Sequence, residues 1–170
     1  MLPTVPHCTP LNRRKIKPMS IYPKSVLTKE RLALIEFART VNPTHHVTLN
    51  FHNQYAREHA EKKVGRWYSI VNRRLFRRLH LELDKRIDFV AFPEYSLAGH
   101  IHYHALARIP GTHAAEFVRV GESRWKRIVP TSTFHVRPID SGDDSLESVL
   151  SYVTKSSTAI DAIHSGMFYN

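Results

Sequence analysis

Cysteine is almost absent: Cys8 is the only one in 170 residues, so no internal disulfide can form and a Cys-rich zinc module is excluded. A reducing cytoplasm is the setting this predicts. No apolar run reaches the roughly 20 residues of a membrane span, and the first residues lack the apolar core of a secretory signal. The expectation is a soluble chain without a membrane partner. Glycine is scarce, with six in the chain, and none stands in a G-x-x-x-x-G-K-S/T loop, which excludes a P-loop motor. Acids are few as well: 15 Asp and Glu meet 25 Lys and Arg, a formal charge of +10. A field of that sign favours polyanions as partners.

Hydrophobic residues still make up 42% of the chain, enough for one domain with a core and too little length for two. Residues 1–27 hold five of the ten prolines and a cluster of Arg13, Arg14, Lys15 and Lys17 without periodicity, which reads as a basic arm. Thr28 can cap a short helix, and 28–42 is read as an N-terminal helical segment in which Leu32, Ile35 and Phe37 supply contacts before Asn42-Pro43 ends it.

The main domain is expected over 43–165, with 166–170 as a tail. Residues 46–51 alternate, with Val47, Leu49 and Phe51 on one face. A long helix is predicted over 53–81, where Val64, Trp67, Tyr68, Val71, Leu75 and Leu79 recur at helical spacing. Its other faces carry Lys62, Lys63, Arg66, Arg73, Arg74, Arg77 and Arg78. Such a run is either a solvated face or a surface for phosphates.

Strands are predicted over 87–94, 100–109 and 133–139, the first two joined by a turn at 95–99. A helix is predicted over 112–128 with Gly121 as its weak point, and a last helix from a capping box at Asp144-Ser145-Leu146-Glu147 to about 157. The order strand, helix, strand, strand, helix, strand, helix gives an α+β fold. It predicts a ferredoxin-like or RRM-like antiparallel sheet of four to five strands, helices on one face and a final helix bearing a tyrosine.

Two segments carry chemistry. Side chains alternate along a strand, so His100, His102 and His104 share one face while Ile101, Tyr103 and Ala105 take the other. Among twelve histidines this is either a polar strand face or a metal site, because neutral imidazoles two apart on a strand can converge on one cation. Glu94, at the end of the preceding strand, would be returned beside them by the turn. Two imidazoles and a carboxylate leave coordination positions open for substrate oxygens. In the last helix Leu146, Val149, Leu150 and Val153 form the apolar stripe. Tyr152 falls roughly 110° from its centre, and Lys155 shares the face of Tyr152. A surface pair is the bland reading of that Tyr-x-x-Lys.

Taken together, Glu94, His102-Tyr103-His104 with Ala105-Leu106 after it, and Tyr152-Val-Thr-Lys155 resemble the HUH superfamily of single-strand nickases. His46-Val-Thr-Leu-Asn50 resembles the first motif of its rolling-circle replication initiators. The resemblance covers residues 44–158. It implies that Glu94, His102 and His104 bind Mg²⁺ or Mn²⁺, and that Tyr152 attacks a phosphodiester to leave a 5′-phosphotyrosine and a free 3′-hydroxyl, with Lys155 assisting. His100 is a departure: if it pairs with His102 as ligand, His104 moves to a supporting role. Ser148, Val149 and Ser156 offer no second tyrosine, which implies a one-tyrosine enzyme.

The implied partners are single-stranded or hairpin origin DNA and a host helicase acting in trans. The basic arm and the 53–81 helix are the expected DNA-binding surfaces. A single-strand transposase of the same superfamily, a non-catalytic RRM-like module and a basic DNA-coating protein are the competing readings. The RRM-like module predicts exposed aromatic rings on the central strands.

Overall fold

The computed structural model describes residues 28–77, 85–140, 145–155 and 162–168. The predicted arm, including Arg13, Arg14 and Lys15, lies outside them, as do Arg78, the last turn predicted for the long helix and positions 156–157. Among the described residues the helices and strands follow in the order α1 (Lys29–Thr40), β1 (His45–Asn50), α2 (Arg57–Phe76), β2 (Asp88–Tyr95), β3 (Ile101–Arg108), α3 (Ala114–Ile128), β4 (Phe134–Pro138), α4 (Leu146–Val153) and β5 (Ile163–His164).

The strands form one sheet in the order β4-β1-β3-β2-β5, and every neighbouring pair is antiparallel. From β1 to β4 the chain follows the ferredoxin-like β-α-β-β-α-β plan expected from the sequence, and β5 adds a short fifth strand against β2.

Alternation along the strands divides the molecule into two cores. Odd-numbered Val47, Leu49, Phe89, Ala91, Tyr103 and Ala105 pack beneath α2 and α3, where Val64, Trp67, Tyr68, Phe117 and Trp125 are buried. Phe168, in the segment expected as a tail, packs against the rings of Tyr68 and Phe89 in this core. The weak point at Gly121 has a packing reason. A Cβ there would meet the ring of Phe134 at 2.8 Å, and its carbonyl accepts from Trp67 Nε1 at 2.9 Å.

The second core lies on the histidine face. Val90, Phe92 and Leu106 are even-numbered and apolar, so that part of the sheet needs cover, and α1 and α4 supply it with Leu34, Ile35, Ala38, Val149, Leu150 and Val153. The two terminal helices therefore pack on the face opposite α2 and α3. The buried stripe of α1 is Leu34, Ile35 and Ala38, and two of the three residues expected to supply its contacts, Leu32 and Phe37, are exposed.

Local chemistry sets the ends of these helices. Thr28 caps α1 by accepting from the Arg31 amide, and Asn42, in the left-handed region, ends it before Pro43. The α4 cap is Ser145, whose hydroxyl accepts from the Ser148 amide, one residue later than a box opened by Asp144. At the far end Thr154 turns its hydroxyl onto the Leu150 carbonyl, and α4 stops at Val153. The long helix starts at Arg57 and not at 53, and Arg77, also left-handed, caps it.

Candidate metal centre and adjoining cleft

Strand register assembles the centre. In the β2–β3 hairpin Glu94 stands directly opposite His102, and in the β1–β3 ladder Thr48 stands opposite His104 and Asn50 opposite His102. The turn between β2 and β3 closes with Gly99 at φ 76, a conformation glycine adopts without cost. Glu94 and the two histidines thereby share one face. Glu94 Oε2 lies 3.3 Å from His102 Nε2 and 3.0 Å from His104 Nε2. Among the described residues the group able to hold a metal ion is Glu94, His102 and His104.

The donor set fits a divalent cation. Ligand atoms held at about 2.1 Å around an octahedral ion stand about 3.0 Å from their neighbours, which the Oε2 separations match. One carboxylate and two imidazoles leave open positions for substrate oxygens. His100 lies outside the group: it precedes β3 in the turn, where its backbone is hydrogen-bonded to Ser96.

Charge around the centre is balanced. Lys155 Nζ lies 2.8 Å from the other oxygen of Glu94. Burial pushes the Glu94 carboxyl up, but the Lys155 hydrogen bond and charge, with His104 and His102, outweigh it and hold the group below its ordinary value. His104 is pushed down to about 4, by burial first and then by the charges of His46 and His102 against the opposing pull of Glu94. It is therefore neutral at neutral pH, the form in which imidazole binds metals. Its Nδ1 faces His46 Nε2 at 3.1 Å and Thr48 Oγ1 at 3.4 Å.

The buried stripe of α4 is the one read from the sequence, and it leaves Tyr152 44% exposed. The ring of Tyr152 lies edge-on to that of His104, centroids 5.1 Å apart, and Lys155 Nζ sits 4.1 Å from the Tyr152 ring centre. The helix is anchored from α1. Arg31 donates to the Ser151 carbonyl at 2.6 Å and the Thr154 hydroxyl at 3.3 Å, and Arg39 forms a forked pair with Glu147.

Beside the centre a cleft of about 480 Å³ opens between β4, β1 and α4, lined by His46, Thr48, His135, Arg137, Ser148 and Tyr152 among others. The described part of the central strands turns no Phe, Tyr or Trp ring to this cleft, in contrast to what an RRM-like module requires.

The structure thus brings Glu94, His102, His104, Tyr152 and Lys155 together. It sets Lys62, Lys63, Arg66, Arg73, Arg74 and Arg77 apart from them, on a helix that packs on the opposite face of the sheet. Sequence reasoning missed the support of His104 by His46 and Thr48, the anchoring of α4 by Arg31, and the placement of His135 and Arg137. Alternation puts His135 and Arg137 on one face of β4, but only the pairing of β4 with β1 tells which neighbours they meet.

Comparison with known proteins bears on the same segment. The family model described as Replication-associated protein ORF2 matches residues 34–157, a stretch that includes every residue of the centre. No curated protein matches the chain. Among solved structures, the crystal structure of the hypothetical protein ORF119 from Sulfolobus islandicus rod-shaped virus 1 is similar at 16% identity and a TM-score of 0.42, covering 74% of this chain and 91% of that one.

Proposed function

Since the chain belongs to the Replication-associated protein ORF2 family, we propose that it initiates replication by cutting single-stranded DNA through a covalent tyrosine intermediate. One observation carries this reading: the Tyr152 ring stands edge-on to His104, whose Nε2 shares the Glu94 carboxylate oxygen with His102. A nucleophile and a metal-binding triad thus occupy one face of the sheet.

Glu94, His102 and His104 would hold Mg²⁺ or Mn²⁺. When bound, the cation supplies Lewis-acid polarisation of the scissile phosphate and offsets charge in the transition state. The Tyr152 oxygen attacks phosphorus as the bond to the 3′-oxygen breaks. The phenolic proton leaves, the 3′-oxygen takes up a proton, and the 5′-phosphate stays on Tyr152. Lys155, close to both the Tyr152 ring and Glu94, is placed to steady the phosphate or the ionised phenol. Because the intermediate conserves the bond, a 3′-hydroxyl can reverse the step and rejoin the strand. The basic residues of α2 would hold DNA outside the reacting segment, and strand opening falls to a helicase of the host.

The test is to mix the protein with Mn²⁺ and labelled single-stranded origin DNA, and to look for an adduct that survives denaturation. Tyr152→Phe should form none. His102→Ala and His104→Ala should lose cleavage while keeping the fold. An adduct retained by Tyr152→Phe moves the nucleophile elsewhere, and wild-type cleavage by both histidine variants removes the metal site.

A further inference from the structure

The cleft between β4, β1 and α4 lies to one side of the metal ligands, and neither Glu94 nor His102 lines it. Its floor is set by register. His135 stands opposite Thr48, which stands opposite His104, and Arg137 stands opposite His46. Two polar rows therefore run from the edge strand towards the centre, and His135 is two strand spacings from His104, about 10 Å. That is close enough for a chain threaded past Tyr152 to touch both.

The lining is one-sided in chemistry. It offers the guanidinium of Arg137, the imidazoles of His46 and His135 and the hydroxyls of Thr48 and Ser148, while no carboxylate is among the described residues lining it. Such a surface fits an anion with several acceptor oxygens, and a guanidinium fork suits a phosphodiester in particular. A charged edge strand can also serve only to block pairing with another sheet. That role needs charge anywhere along the edge, whereas here the charge converges on Tyr152 and His104.

We propose that this cleft seats the backbone of single-stranded DNA next to the scissile phosphate, with Arg137 and His135 holding the neighbouring phosphodiester. The assignment rests on the strand-cutting reading but makes its own claim, that register along the strand is fixed from the β4 side. It implies contacts to the backbone and not to bases, because Val149 is the one aliphatic side chain among the described residues of the lining.

Binding of a fluorescein-labelled oligothymidylate to the full chain in Mn²⁺ tests it, read by fluorescence anisotropy over a series of KCl concentrations. Arg137→Ala should bind about tenfold more weakly, and the slope of log affinity against log salt should shrink by about 0.7, the loss of one phosphate contact on a single strand. Arg137→Lys should recover the slope. His135→Ala should weaken binding to a lesser degree, and it serves as the readout if Arg137→Ala fails to melt cooperatively. Wild-type affinity and slope in Arg137→Ala, or weaker binding at an unchanged slope, would overturn the assignment. The covalent adduct is scored separately. A missing adduct with a reduced slope leaves the cleft standing and removes the cutting chemistry, while a normal adduct with an unchanged slope does the reverse.

Discussion

His46 Nε2 lies 3.1 Å from Nδ1 of His104, whose other nitrogen faces Glu94 at 3.0 Å, so the His104 ring is gripped at both ends. To give its Nε2 lone pair to a cation, His104 must carry its proton on Nδ1, and that proton then points at His46 or at the Thr48 hydroxyl. The first strand therefore supplies the outer support of the centre, which gives the His46-Val-Thr pattern a physical task.

His46→Ala should consequently weaken Mn²⁺ binding by about 10- to 100-fold, the usual cost of losing a partner behind a ligating histidine. Isothermal titration reads this without any DNA present. His46→Gln keeps an acceptor on a longer side chain and should recover part of the loss. Equal affinity in wild type and His46→Ala would mean that ring packing alone orients His104.

Arg31 is the second remote residue with a defined task. Its bonds to the Ser151 carbonyl and the Thr154 hydroxyl hold the turn of α4 that carries Tyr152. Arg31→Ala should cost about 1 kcal/mol of stability, yet slow adduct formation several-fold while Mn²⁺ affinity stays unchanged. A rate identical to wild type would show that packing of Val149, Leu150 and Val153 positions the phenol unaided.

Much of this site was legible before the fold was known, and the reason is its period. Alternation in β3 and the 3.6-residue repeat of α4 place His102, His104 and Tyr152 relative to their own elements, and the short β2–β3 turn brings Glu94 back to His102. What could not be read is how separate elements meet. The pairing of β1 with β3 that puts His46 behind His104, and of β4 with β1 that puts Arg137 beside His46, are long-range choices with no local signal. The same limit hid the second core. Val90, Phe92 and Leu106 read as ordinary strand residues until α1 and α4 are seen to cover them.

Acid should destabilise the metal-free protein in a defined window. Above pH 6.5 His104 is neutral in both folded and unfolded chains. Between 6.5 and about 4 the unfolded chain takes up a proton that the folded site refuses, so stability falls as pH falls, and below about 4 this contribution stops growing. At 1.36 kcal/mol per pH unit the full loss is about 3 kcal/mol. Glu94, held below its ordinary value, loses its own contribution only as pH falls through that lowered value. Urea melts in EDTA at stepped pH would show this loss, and His104→Gln should flatten it. A wild-type profile as flat as that of His104→Gln would place the effect elsewhere.

The basic face of α2 makes the last prediction, because its position separates two uses of charge. Arg73 and Arg74 are exposed on a helix that packs beneath the sheet, on the side away from Tyr152. A strand bound at the centre cannot lie along both surfaces unless it wraps around the sheet edge. Charge on α2 is then of use to DNA outside the cut segment, such as the duplex stem of a hairpin. The double variant Arg73→Ala/Arg74→Ala should weaken binding to a hairpin carrying a single-stranded cleavage site and reduce its salt slope by up to about 1.8, two duplex phosphates' worth. Adduct formation on a short single strand should be unaffected. Loss on the short strand instead would mean that the strand does wrap the edge, and no loss on either substrate would reduce this face to solvation.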